Sequence, residues 1–404
     1  MKEAGNGITD MVLNETLEEI DRAFETEQVP WLEELVNQPS HTQESADVEK
    51  AASIIEGRMR EIGMGVTKVP AQGFADHRVY VAPETPEDGK ALLLAGHCDT
   101  VYPREQGFLH FGRDGDTIRG PGVLDMKSGL SVVVFALQAI RRAAPDKFAA
   151  LALRFVVNTD EEVGSPDSAA LYGKLSGLST HALVFEGGRE GDHIITSRKG
   201  TGGLTLRVTG VGAHAGNQHE DGVSAIHALS LIIQKVEAFT DYAAGTTVNV
   251  GLVKGGTSKN TVPESAECGI DIRVTSREAG ERVMAALENI ASDPFGGSDV
   301  YPPKLGKVGV QLENVLFRPP MESTPASKSL RETYETFAQR EGLGTGAAPL
   351  QGGGSDANLL SANGVPCIDG LGPYGKFMHS PKEWSSLESL RKKTRALAGF
   401  LLGV

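Results

Sequence analysis

Ala91-Leu-Leu-Leu-Ala95, continuing as Gly96-His97-Cys98-Asp99-Thr100, sets an apolar run of strand length directly before a histidine and an aspartate. Leu153-Arg-Phe-Val-Val157 and Ala182-Leu-Val-Phe185 are runs of the same kind. Short continuous apolar stretches read as strands buried on both faces. Between the first two lies Met126–Arg142, whose length and apolar spacing suit a helix. This alternation predicts an α/β fold, a mostly parallel sheet sandwiched by helices. In such sheets ligands bind beyond the carboxyl ends of the strands. The residues that follow each run are therefore the ones to examine.

Past Gly200 the texture changes. Leu204–Val208 alternates like a half-exposed strand, Val223–Phe239 has helical period, and Thr247–Val253 and Cys268–Val274 read as strands. Arg277–Ile290 reads as a helix and Val308–Leu312 as a last strand. The order β-α-β-β-α-β is the ferredoxin-like pattern. Helical and strand segments then resume at Ala326–Arg340, Val365–Ile368 and Leu387–Leu402. The simplest division is a ferredoxin-like α+β domain at 200–313 inserted between two parts of a larger domain, 1–199 and 314–404.

The 404 residues suffice for two domains, and 40% hydrophobic with 23% charged residues is ordinary for a globular chain. A formal charge of −14 argues against nucleic acid or an anionic membrane surface as a partner. Met1–Asn14 carries no apolar run suited to a signal-peptide core, and stretches such as Val132–Leu137 fall short of a bilayer span. The expected location is cytoplasmic. Cys98, Cys268 and Cys367 include no C-x-x-C pair and suggest small buried side chains rather than disulfides or a thiolate metal site.

Three predicted strands end in candidate ligands. His97 leaves the first, with Asp99 two residues on, where a carboxylate can hold the second imidazole nitrogen of a metal-bound histidine. Glu161 and Glu162 follow the second in Asp160-Glu161-Glu162, and Glu186 follows the third. Adjacent carboxylates repel and call for a cation between them, and one can bind a metal while its neighbour handles protons. Asp125 sits in Gly120-Pro-Gly-Val-Leu-Asp125-Met-Lys-Ser-Gly129, a tight loop presenting one acid at a helix start. Taken alone it also suits a helix N-cap. His379 follows a glycine-rich stretch and by itself reads as a satisfied surface or core histidine. As a set the charges balance. Asp125, Glu162, Glu186 and one hydroxide match two Zn²⁺ ions, with His97 and His379 neutral. Nitrogen and oxygen donors without cysteine suit catalytic zinc, with Co²⁺ or Mn²⁺ as substitutes.

In their order these motifs resemble the M20 family of metallopeptidases and amidohydrolases, especially its glutamate carboxypeptidase-like branch, from about His97 to His379. The resemblance implies a zinc-peptidase-like catalytic fold with an inserted dimerisation domain. It implies that Asp125 bridges two metals, that His97 and Glu186 hold one ion, and that Glu162 and His379 hold the other. Asp99 would orient His97, and Glu161 would be the general base. Ser128 departs from the glycine usual after the lysine. His214, in Gly212-Ala-His214-Ala-Gly216, is similar to the family's histidine that reaches a neighbouring subunit's active site and stabilises the oxyanion; without the resemblance it reads as a histidine in a glycine-bordered turn. Asn260 and Arg273 match substrate-binding positions, and an arginine fork suits a carboxylate. The loop Gly352-Gly353-Gly354-Ser355-Asp356 resembles one that receives the substrate's carboxylate on backbone N–H groups.

The implied function is hydrolysis of the amide bond in a small peptide or N-acyl amino acid bearing a free carboxylate, with release of glutamate one version. Arg198 and Lys199 are the nearby cations a glutamate preference could use. The alternatives are a deacylase or aminoacylase of small N-acyl metabolites, resembling acetylornithine deacetylase, and a non-catalytic binding protein of the same fold. An aminopeptidase fits less well, since the named anchors are cationic. No Gly-x-Ser-x-Gly elbow supports a serine hydrolase. The expected partners are the small substrate and a second copy of the chain, joined through the inserted domain.

Overall fold

The computed structural model describes residues 2–296 and 301–403, with side chains from residue 10 onward. The chain divides into two compact units. The larger comprises residues up to 197, 322–350 and 355 onward; the other comprises 198–321 and 351–354. The insert thus begins two residues before 200 and ends after 313, because its last strand, Gly309–Arg318, runs further than its apolar part. The glycine segment 351–354 also belongs to the insert's unit.

The larger unit is built on a six-stranded sheet in the order 65–69, 77–81, 153–158, 91–97, 179–184, 367–368. The strands from Leu153–Asn158 to Cys367–Ile368 pair in parallel. His77–Val81 joins antiparallel at one side, and Gly65–Val69 pairs antiparallel with it. Neither of these two antiparallel strands is predicted from the sequence, nor are the helices Lys2–Ala23, Val29–Asn37 and Ser45–Ile62 that precede them. Leu94, Phe155, Val157 and Leu183 are fully buried, joined by Val132–Val134 and Leu137 from helix Lys127–Ala143 and by Leu390 and Leu397 from helix Leu387–Gly403. Each large apolar side chain so enclosed contributes about 1.5–3 kcal/mol. Cys98, Cys268 and Cys367 are buried as expected, and burial pushes the Cys98 thiol up to about 12.

A second, four-stranded antiparallel sheet in this unit orders Gly375–Lys376, Trp384–Ser386, Thr117–Arg119 and Gly112–Asp114. It anchors the segment around His379 beside the chain entering the Asp125 loop.

The inserted unit has a four-stranded antiparallel sheet ordered 247–255, 265–274, 200–209, 309–318. Helices Ala225–Glu237 and Arg277–Ser292 complete the β-α-β-β-α-β succession. The alternation that marked its strands follows from packing one sheet face only, with Leu204, Leu206, Val208, Ile270 and Ile272 toward the core. Ser224 and Ser276 cap the two helices by accepting the backbone N–H groups of His227 and Ala279.

Candidate metal centre

His97 ends the strand Ala91–His97, Glu161 and Glu162 stand just beyond Leu153–Asn158, and Glu186 just beyond Ser179–Val184. The first strand lies between the other two, so their carboxyl ends deliver these side chains to one place. Asp125 arrives from the loop that opens helix Lys127–Ala143 and is followed by a cis Asp125–Met126 peptide bond. Gly129 sits on that helix with the space for its Cβ only 1.9 Å from the Phe185 carbonyl oxygen. Any side chain there would force the helix away from the backbone that carries Glu186. Ser128 is absorbed without disturbance; its buried hydroxyl donates to the Val123 carbonyl across the turn.

The Asp125 carboxylate is divided between two histidines. Its Oδ1 lies 3.3 Å from His97 Nε2 and its Oδ2 lies 3.2 Å from His379 Nε2. His97 Nε2 is also 3.7 Å from Glu186 Oε1, and His379 Nε2 is 3.2 Å from Glu162 Oε2. Five of the sequence-derived candidates thus fall into two half-sets that share Asp125. Ligand atoms of His97, Asp125 and Glu162 lie within 4.8 Å of one another. His379 is the open side of the cluster, with 56% of its side chain exposed, and takes a left-handed backbone at φ 59°.

Asp99 holds the other face of His97. Its carbonyl oxygen is 3.1 Å and its Oδ1 3.3 Å from His97 Nδ1. The same carboxylate accepts the backbone N–H groups of Glu161 and Glu162 at 3.3 and 3.2 Å and the Thr42 hydroxyl at 2.7 Å. It therefore ties two strand ends together as well as orienting an imidazole. Asp160 turns away, accepting the backbone N–H groups of Asp167 and Ser168 at the start of helix Ser168–Gly177.

The electrostatics draw positive charge into the cluster. Burial, then the Asp125 carboxylate, pushes the Glu162 carboxyl up to about 8. The same causes raise Glu186 well above the carboxylate range, and Glu161 adds to both shifts. Burial opposes ionisation of Asp125, but the His379 and His97 rings hold its carboxyl below the usual range. Hydrogen bonds to Asp125 and Glu162 raise His379 to about 11. Glu162 Oε1 is buried without a hydrogen-bond partner. An orphaned buried carboxylate oxygen within a nitrogen and oxygen donor set fits divalent cations at this place.

The other candidates lie elsewhere. In the inserted unit, strand Ala213–His214 pairs with Thr261–Val262, which sets His214 opposite Thr261 and Ala215 against the Asn260 carbonyl. His214 is exposed and its Nδ1 accepts the Gly216 and Asn217 N–H groups at 3.1 Å. The exposed Asn260 accepts the Ser258 hydroxyl. Arg273 is bidentate to Asp271 on its own strand, at 3.0 and 2.9 Å. Arg198 donates to the Gly353 carbonyl, and Lys199 to that of Gly245. A Cβ at Gly352 or Gly353 would meet nothing within 4 Å. Ser355, in the larger unit, is buried; its hydroxyl caps helix Asp356–Ala362 and donates to Asp369 at 2.7 Å. Its side chain is thus committed to the fold. Tyr102 and Glu383, which border the Asp125 loop, escaped the sequence reading, since nothing in spacing marks one tyrosine or one glutamate.

The peptidase dimerisation domain of the M20 family matches residues 196–299. Carboxypeptidase G2 from Pseudomonas sp. (strain RS-16) is 28% identical over 378 residues, covering 92% of this chain and 88% of the relative. A metallo-carboxypeptidase of the M20 family from Sulfolobus solfataricus superposes with a TM-score of 0.70 at 16% identity, covering 93% of this chain and 98% of the other. An aminopeptidase from Bacillus cereus does so at 0.72 and 20%, covering 93% and 97%. At these identities the two structural likenesses bear on the fold. The domain match and the sequence relationship over 92% of the chain make it similar to the M20 metallopeptidases, and the chain is a metal-dependent amide hydrolase.

Proposed function

We propose that the chain is a two-zinc hydrolase that cleaves the amide bond of a small peptide or N-acyl amino acid and releases a residue with a free carboxylate. The observation that carries this reading is the division of Asp125 between His97 and His379. One carboxylate facing two imidazoles, each backed by a second acid, suits a pair of cations sharing a ligand. His97 and Glu186 would hold one, Glu162 and His379 the other, with Co²⁺ or Mn²⁺ as substitutes. When bound, such a pair polarises the scissile carbonyl and makes water a competent nucleophile at neutral pH. Glu161 takes the water's proton on its carboxylate and passes it to the leaving nitrogen. Asp99 keeps His97 in one tautomer and orientation.

Arg273, Asn260 and the backbone at Gly353 and Gly354 are assigned to substrate binding, with Arg273 and the glycine backbone for its carboxylate. The open space over Gly353 supports close approach of a ligand to that backbone. Ser355 supports this loop from its end, its hydroxyl capping helix Asp356–Ala362 and donating to Asp369. His214 of the partner subunit completes the site by stabilising the oxyanion. A dimer is supported by the edge strand Thr247–Gly255, which among the described residues pairs on one side only and where Leu252 and Val253 are 68% and 59% exposed. Such an edge is a template for a second strand. Among the described residues no helix is long and apolar enough to cross a membrane.

Deacylation of small N-acyl metabolites uses the same chemistry and differs in the group on the acyl side. A panel of dipeptides, N-acyl glutamates and N-acetyl amino acids, assayed before and after chelation, tests the reading. Chelator-sensitive release of a carboxylate-bearing amino acid is expected, and substrate ranking separates peptidase from deacylase. Hydrolysis that survives complete metal removal would contradict it.

A further inference from the structure

Glu383 is fully buried, and a buried carboxylate is costly unless its oxygens accept hydrogen bonds. Its Oε1 accepts the backbone N–H groups of Leu124 and Asp125 at 2.6 and 3.0 Å. Its Oε2 accepts the Tyr102 hydroxyl at 2.5 Å. These donors come from two separate segments. Leu124 and Asp125 form the loop that presents the shared carboxylate, and Tyr102 lies in the segment that leaves His97 and Asp99. Glu383 itself sits in the turn that carries His379, where its own N–H donates to Ser380 O at 2.8 Å. The Tyr102 oxygen is also 3.1 Å from Ser380 O. One carboxylate thus joins the three chain segments that bring His97, Asp125 and His379 together.

We infer that Glu383, acting with Tyr102, is a positioning residue that fixes the spacing of the two half-sets around Asp125 and thereby sets metal affinity and turnover. The inference rests on the two-metal reading above. The physical reason is leverage. Asp125 can face both His97 and His379 only while its loop keeps one depth, and the two N–H groups held by Glu383 fix that depth at Asp125 itself. Outer hydrogen-bond partners of this kind affect metal affinity or activity by about 10–100-fold.

The test compares wild type with Glu383→Ala, Glu383→Gln and Tyr102→Phe, measuring zinc affinity by chelator competition, kcat and KM separately, and thermal stability. Glu383→Ala is expected to weaken zinc binding and lower kcat by about 10–100-fold with KM little changed. Glu383→Gln should restore most of both. Its amide oxygen can accept the same N–H groups, and its NH₂ can donate to Tyr102 while the hydroxyl turns to Ser380 O. A folded Glu383→Ala enzyme with wild-type zinc affinity and kcat overturns the inference, even if its melting temperature falls. If Glu383→Ala does not fold, Tyr102→Phe decides: a measurable loss of zinc affinity supports the role and unchanged affinity and kcat overturn it. Wild type that binds no zinc removes the two-metal reading and this inference together, whereas zinc-binding wild type with an indifferent Glu383→Ala removes this inference alone.

Discussion

In the larger unit Asp99, Asp125, Glu186 and Glu383 are buried, and Asp99, Asp125 and Glu383 each meet partners from more than one chain segment. In the inserted unit His214 and Asn260 are exposed, and Arg273 keeps company with an acid two residues away on its own strand. Buried acids in low dielectric interact strongly and must be fixed before any substrate arrives. Surface groups on short strand pairs can rearrange at modest cost. The first set suits chemistry that requires fixed charge, the second suits capture of a ligand or a second subunit. Substitutions in the two units should therefore fail in different ways.

Metal removal attacks the first set most directly. Exhaustive chelation should take hydrolysis to background and added zinc should restore it, followed by amino-acid release. Next in size, Glu161→Gln should lower kcat by about 10²–10⁴-fold while zinc content stays near normal. Full activity in that variant would take Glu161 out of the proton-transfer role. In the inserted unit, His214→Ala should cost about 10²–10³-fold in kcat if the imidazole meets the oxyanion. Arg273→Ala should act on kcat/KM, by about 10–100-fold, as loss of a charge-assisted hydrogen bond worth about 1.5–3 kcal/mol implies. Zinc content should not respond to either change; a loss of metal in Arg273→Ala would break the division of labour between the units. The smallest effect on the fold belongs to Leu252→Lys. By light scattering it should shift the protein toward monomer, and activity per chain should fall with the dimer. A fully active monomer would show that His214 is not supplied in trans.

The parts of the molecule legible in the sequence were those where one physical demand dominates. Strands buried on both faces must be continuously apolar, so Ala91–Ala95, Leu153–Val157 and Ala182–Phe185 stood out, and the residues after them became candidates by topology alone. The inserted sheet packs one face and alternates, which exposed its β-α-β-β-α-β order. The antiparallel strands Gly65–Val69 and His77–Val81 escaped notice because Lys68, His77 and Arg78 interrupt their apolar character; Arg78 is buried through ion pairs with Glu49 and Glu56. The second sheet of the larger unit is made of strands two or three residues long, too short for any period. The outer contacts of the site were hidden for another reason. The Thr42 side chain meets that of Asp99 and the Glu383 carboxylate meets the Asp125 backbone across distant segments, and among 53 acidic residues no local pattern distinguishes the one that caps a ligand loop.

The claim on which the rest depends is that Asp125 is shared by two metal ions. Zinc stoichiometry of wild type and of Asp125→Ala, measured by atomic spectroscopy on protein dialysed against a weak chelator, tests it most directly. Sharing predicts about two equivalents in wild type and loss of both in the variant. Wild type that saturates at a single equivalent, or a variant that keeps both, would contradict it.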